Sequence, residues 1–246
     1  MPLWPDVVDL RDFYASSLGQ VAGRVVRTRV RALWPVSRGR RVLGLGYPLP
    51  YLRPFLDEAE RVIAAMPAGQ GVLQWPRSMA NRTVLVDEDD LPFPDNAFDF
   101  VLMVHAIENA ESLRHMLREV WRVLDDAGHL IAIVPNRRGI WARIERTPFA
   151  HGHPYSAPQL SRLLRDNIFT PTVTERALFV PPVHSRMVLG SAPALENIGR
   201  HFLPRFAGAI IMEATKQIYA QSNAPAPGRR RPVYAPVRGV NRLREI

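Results

Sequence analysis

His105 and Glu108-Asn109 stand just past an apolar run, residues 98–104, and an imidazole there is placed to do chemistry. Its ordinary pKa lies near neutrality, so it suits a general base or a substrate contact. A buried histidine with its bonds satisfied fits the same position. A second group lies in Thr147-Pro148-Phe149-Ala150-His151-Gly152-His153-Pro154-Tyr155-Ser156, where two histidines, a tyrosine and a serine sit between prolines in a segment that cannot be regular structure. The pair His151 and His153 invites a metal, but no third ligand follows at convincing spacing, so no metal centre is expected. A third group, Asp87-Glu88-Asp89-Asp90, reads by itself as a solvated acidic loop. With no cysteine in the chain, disulfides, thiolate metal sites and a cysteine nucleophile are excluded.

The elements that position these groups follow from hydrophobic spacing. Residues 98–104 form a short apolar, partly β-branched run, which is how a strand buried on both faces reads. Leu113, Met116, Leu117, Val120, Val123 and Leu124 then recur at spacings of three and four, one face of a helix. Residues 130–134 are a second buried strand, so the three make a βαβ unit of a parallel sheet. Upstream, residues 7–33 have one helical pattern with Gly19 and Gly23 as weak points. Strands are expected over residues 41–46, 61–67 and 82–87. Downstream, a short helical stretch is expected over 137–146, a helix capped by Ser156 over 157–167, a strand over 173–180, helix near 194–202 and a last strand over 209–217.

The series Leu91-Pro92-Phe93-Pro94-Asp95-Asn96-Ala97-Phe98-Asp99, a buried strand, Glu108-Asn109, Leu117-Arg118-Glu119-Val120-Trp121-Arg122-Val123-Leu124, Asp126-Ala127-Gly128-His129-Leu130 and a strand ending in Pro135-Asn136 resembles the second half of a class I S-adenosylmethionine-dependent methyltransferase. Ala127 departs from the glycine usual there. The resemblance implies an α/β, Rossmann-like fold: a seven-stranded, mostly parallel sheet with an antiparallel seventh strand and helices on both faces. It implies S-adenosyl-L-methionine as cofactor and methyl transfer to a small or medium acceptor. It also implies a site: Gly44, Gly46 and Tyr47 at the methionine end, Asp87 and Glu88 at the adenine, His105 as a catalytic candidate, and His151, His153, Tyr155 and Tyr14 on the acceptor side. Two departures stand out. Gly44 replaces the acid that usually ends the first strand, and Pro48 and Pro50 replace the two later glycines of its loop. Met66-Pro67 offer no carboxylate where the family binds the ribose, unless Gln70 or Gln74 substitutes. These losses motivate an alternative, a catalytically inactive methyltransferase-like partner subunit.

The expected organisation is an N-terminal helical segment over residues 1–39, a methyltransferase-like domain over 40–220 with an insertion at about 181–205, and a Pro/Arg-rich, disordered tail over 221–246. The formal charge is +9, yet Lys216 is the only lysine, and so complete an arginine bias speaks for genome composition more than for nucleic acid. The tail arginines leave a nucleic-acid partner open. No basic stretch with an apolar core opens the sequence and no apolar run is long enough to span a bilayer, so a cytoplasmic protein with no membrane partner is expected. The oligomeric state is not legible.

Overall fold

A computed structural model describes residues 5–217, and the expected tail lies outside them. The strands are β1 (Arg41–Gly46), β2 (Arg61–Pro67), β3 (Thr83–Val86), β4 (Phe98–Val104), β5 (Leu124–Pro135), β6 (Phe169–Ala177) and β7 (Ala209–Lys216). They form one sheet in the order β3-β2-β1-β4-β5-β7-β6. The first five pair in parallel, and β7 runs antiparallel between β5 and β6. This is the Rossmann-like sheet that the resemblance implies.

Helices α1 (Val7–Ala15), α2 (Ser17–Leu33) and α3 (Leu49–Leu52) precede β2, and α4 (Leu113–Val123), α5 (Ala157–Asp166), α6 (Arg186–Gly190) and α7 (Ala192–Phe202) follow β4. The period of two along each strand divides the core. On β4, Phe100, Leu102 and Val104 pack with Leu18, Val26 and Val30 of the first helices, whereas Val101 and Met103 pack with Met116, Val120 and Leu164 of α4 and α5. Helices therefore cover both faces, as buried parallel strands require.

Three expectations need correction. The single helix over 7–33 is two, broken at Ser16, whose N–H still donates to Asp12 O and Phe13 O while its hydroxyl accepts from Gly19 N at 3.1 Å. One residue thus caps both helices and turns a corner between them. The weak point at Gly19 marks that corner: a Cβ there would lie 2.0 Å from Phe13 O. The helical stretch over 137–146 reduces to a single 3-10 turn, Trp141–Arg143, because Trp141 is drawn into the core and its Nε1 donates to Val180 O at 2.8 Å. Third, the strand placed over 173–180 begins earlier, at Phe169, because β6 pairs with β7 from Lys216 onward.

Candidate active site

At the ends of β1 and β4 the chain brings together groups that are far apart in sequence. Gly46 closes β1 with φ +89°, and Tyr47 N donates to Val104 O at 2.8 Å, which draws the β1 turn onto the end of β4. The approach is so close that a Cβ on Gly46 would lie 2.2 Å from Val104 O. Only glycine takes this conformation without strain. His105, next after β4, also has a positive φ of 51°. Its ring is almost fully buried and is bonded at both nitrogens: Nδ1 lies 3.1 Å from Glu108 Oε1, and Nε2 lies 2.8 Å from Tyr14 OH. Tyr14 OH in turn lies 2.9 Å from Tyr51 OH.

An ionised carboxylate only accepts, so with Glu108 charged the imidazole carries its proton on Nδ1 and Nε2 accepts from Tyr14. Tyr14 then accepts from Tyr51, and one chain of bonds runs Tyr51, Tyr14, His105, Glu108. Burial pushes the Tyr14 phenol well above its usual range, and its neighbour Tyr51 adds to this. Burial likewise raises Tyr51, and it pushes Tyr47 up to about 12. These tyrosines stay protonated at neutral pH, so Tyr14 can pass a proton along the chain without resting as a phenolate. The Tyr47 ring stacks on Tyr14 at 5.5 Å, which holds the phenol, and Phe149 meets His105 edge-on at 4.9 Å, which holds the imidazole.

The other residues named from sequence fall in different places. At Gly44 a Cβ would lie 2.5 Å from both Cβ and Cγ of Pro48, and 2.8 Å from Leu52 Cδ1. The ring of Pro48 fills the room that an acidic side chain would need, which explains the glycine. Asp87 is exposed, and its Oδ1 accepts from Asp89 N. Glu88 is buried, and its Oε1 accepts from Glu111 N and Ser112 N at 2.8 Å each, holding the start of α4. Burial raises the Glu88 pKa against those two bonds. His151 and His153 are exposed at the rim, where His153 N donates to Glu108 O at 2.8 Å and Gly152, φ +70°, lies against the Glu108 carbonyl. Tyr155 is half-buried beyond them, raised by burial and by Glu108.

Spacing did not reveal Tyr51 or Phe149 as site residues. Their only signals are an aromatic residue four after Tyr47 and another two before His151. Glu108 was visible beside His105, but not as its partner. Beyond Phe13, a cleft of about 470 Å³ opens between the α1–α2 corner and the segment after β5, lined by Phe13, Leu18, Ile144, Arg143, Arg146 and His184 among others.

The residues present fit a nucleoside better than they fit its methionine end. Gln70, 2% exposed, donates from Nε2 to Gly46 O at 3.1 Å, and its buried Oε1 has no hydrogen-bond partner among the described residues. A buried acceptor at the end of β2 suits a ribose hydroxyl, since leaving it unpaired costs free energy. Glu88 Oε2, just past β3, is another buried acceptor without a partner among the described residues. In the β1 turn, by contrast, Pro48 fills the space beside Gly44 and has no backbone N–H to offer. The first turn of α1 is tied to the same loop, with Val7 N donating to Gln70 O at 2.9 Å.

Residues 43–132 match the family described as "Methyltransferase domain". A demethylmenaquinone methyltransferase of Corynebacterium efficiens is 30% identical over 128 residues, which is 52% of this chain and 56% of that protein. The chain thus spans about half the length of this curated relative, and 28% of a further one from Listeria welshimeri. Among solved structures, a methyltransferase of Thermotoga maritima, described as a possible histamine N-methyltransferase, superposes with a TM-score of 0.60 at 17% identity, covering 86% of this chain and 96% of that one. The 1,6-didemethyltoxoflavin N1-methyltransferase of Burkholderia thailandensis, solved with its substrate and S-adenosylhomocysteine, gives 0.54 at 17% identity, covering 85% and 82%. At these identities the two structures share the fold.

Proposed function

We propose, for a chain that belongs to the class I S-adenosylmethionine-dependent methyltransferase family, that it transfers the methyl of S-adenosylmethionine to a small or medium acceptor bound in the cleft beside Phe13. The observation that carries this reading is the bonded chain Tyr14, His105, Glu108 at the end of β4, beside the Gly46 turn. The cofactor supplies a sulfonium-bound, electrophilic methyl, so the protein mainly has to hold the reactants and take up a proton. Gln70 would hold the ribose through Oε1, and Glu88 would face the adenine. Tyr14 would receive the acceptor's proton on its oxygen while handing its own to His105 Nε2, and Glu108 would stabilise the resulting imidazolium. The cleft has apolar walls from Phe13, Leu18 and Ile144 and cationic groups from Arg143 and Arg146, which favours an acceptor with an apolar body and a polar or acidic substituent.

Calorimetric titration with S-adenosylhomocysteine tests the cofactor half. Micromolar binding that weakens by about tenfold in Gln70→Ala, as loss of one buried hydrogen bond predicts, supports the reading. Absence of binding up to millimolar ligand by folded protein overturns it. That outcome would favour a non-catalytic partner subunit, the reading to which the Pro48 ring gives its one structural support.

A further inference from the structure

A second space, apart from the site, lies between α2 and α7, a cleft of about 320 Å³. On α2 its lining residues Val21, Arg24, Val25, Thr28 and Arg29 recur at spacings of three and four, and on α7 Pro193, Glu196, Asn197 and Arg200 do the same. Each helix therefore presents one continuous stripe to the cleft. The stripes mix valine and proline with arginine, so the walls offer apolar surface and positive charge together. Leu189 and Gly190, at the end of α6, close a third side.

Two polar atoms of these lining residues are unmet. Arg29 Nε and Glu196 Oε2 are both buried with no hydrogen-bond partner among the described residues, so they do not pair with each other. Glu196, 5% exposed, uses its other oxygen on the backbone: Oε1 accepts from Phe179 N at 2.6 Å and from Val180 N at 3.1 Å. A proton on this carboxyl therefore belongs on Oε2, and burial raises the pKa toward that protonated form. The cleft then holds two donors, Arg29 Nε–H and Glu196 Oε2–H, and neither is used. Buried donors left unmet cost free energy, which a ligand with two acceptor oxygens removes.

Charge and reach define that ligand. Arg24 and Arg200 are exposed beside the cleft, and with Arg29 they set three cations against one carboxyl, which favours an anion over an amine. Two unmet donors match the two oxygens of a carboxylate, and the valine, leucine and proline walls match an apolar body. A lipid surface or a protein face would meet Arg24 and Arg200 on the outside, but not the two unmet atoms, which lie out of solvent contact.

We propose that the cleft between α2 and α7 is a second ligand site, which binds a small monocarboxylate with an apolar body, its two oxygens taken by Arg29 and Glu196. This site is separate from that of the cofactor and acceptor, and it does not rest on the acceptor reading above.

The test is fluorine NMR titration of the full chain with 4-fluorobenzoate, alongside 4-fluorobenzyl alcohol and 4-fluorobenzylamine, which keep the ring and change the polar group. The expected result is saturable binding of the acid at or below about 1 mM, with the alcohol and the amine weaker by at least about tenfold. Arg29→Met, which keeps the apolar stem, and Gly190→Leu, which fills the cleft, should each weaken the acid by at least about tenfold. A Cβ on Gly190 meets nothing within 4 Å, so the second variant is expected to fold. Glu196→Gln should hold the acid within about threefold, because its amide nitrogen donates where the Oε2 proton did. Thermal melting of each variant reports on folding independently. Four results would overturn the proposal: no saturation by about 10 mM acid, amine binding as tight as that of the acid, loss of the acid in folded Glu196→Gln, or acid binding that survives either Arg29→Met or Gly190→Leu. The last would place the acid elsewhere, such as beside Arg143 and Arg146 in the first cleft.

Discussion

Tyr14 illustrates how much a single hydroxyl can hold. Among the described residues it is the only bonded neighbour of His105 Nε2, and it also bonds Tyr51, so Tyr14→Phe strands one buried acceptor and one buried hydroxyl. Each stranded group costs about 1–3 kcal/mol, so urea midpoints should fall measurably while the fold persists. With any acceptor that the parent protein methylates, the same substitution should lower the rate by about 10²-fold, the scale of positioned acid–base assistance. A rate that survives Tyr14→Phe would remove the proton-transfer role and leave a structural one. At this scale the sequence was only partly legible. His105 stood out because a strand ended before it, but its partner Tyr14 lies 91 positions away, and nothing local to either residue encodes the contact. Gln70 was visible only as a polar residue near a missing acid.

Among the elements, the corner between α1 and α2 decides where Tyr14 sits. The two helices meet at one extended residue, and Gly19 lets the start of α2 pass under the Phe13 carbonyl. Gly19→Ala would push a methyl to 2.0 Å from that oxygen, so the corner must open. A cost of about 2 kcal/mol would lower the melting temperature by roughly 4–8 °C for a chain of this size. Hydrogen exchange in α1 should also quicken more than exchange in α4. Uniform acceleration would show that the corner is no more than ordinary core. Strands were read well because continuous apolar runs with β-branched residues leave few alternatives. The corner was not, since apolar spacing runs through Ser16 unbroken and the break is set by a cap and a tertiary contact. The 3-10 turn at Trp141 failed for the same reason: the apolar spacing was real, but the ring served the core and not a helix face.

For the whole molecule, pH stability is set by carboxylates of opposite tendency. Hydrogen bonding to Arg122 holds the Glu119 carboxyl below its usual range. Asp99 is pushed up by burial, but its bonds to Arg41 outweigh this and leave it low. Both contribute stability that is full above the unfolded carboxylate range, about pH 4, and that is lost as pH falls through their folded values. Glu88 and Glu196 are raised and work in the other direction, losing their contribution as pH rises. Total stability therefore blends the two, and a difference isolates one: the gap between the parent protein and Glu119→Gln should be greatest above about pH 5 and close toward about pH 2. A gap that is constant with pH would mean that Glu119 acts through shape and not through charge. Arg122 is the centre of this region, bonding Phe93 O, Leu91 O, Asp95 and Glu119 together. The family-like series around Leu91 is therefore largely scaffold, which is why it announced the fold so clearly and the reaction so much less. The only lysine has a comparable role. Lys216 Nζ bonds Asn96, the Leu124 carbonyl and Asp126, and lies 4.1 Å from the Trp121 ring, a compact three-donor position that a planar guanidinium would not fill.

The contact between Gly44 and Pro48 also constrains how this site can have come about. An acid at position 44 and the proline ring cannot coexist, because the first carbon of the side chain already meets the ring at 2.5 Å. The two residues are exchangeable only in a fixed order. In either direction the exchange passes through a chain that has neither the acid nor the proline. Restoring the acid alone should therefore displace the β1 turn, whereas restoring it together with Pro48→Gly should not.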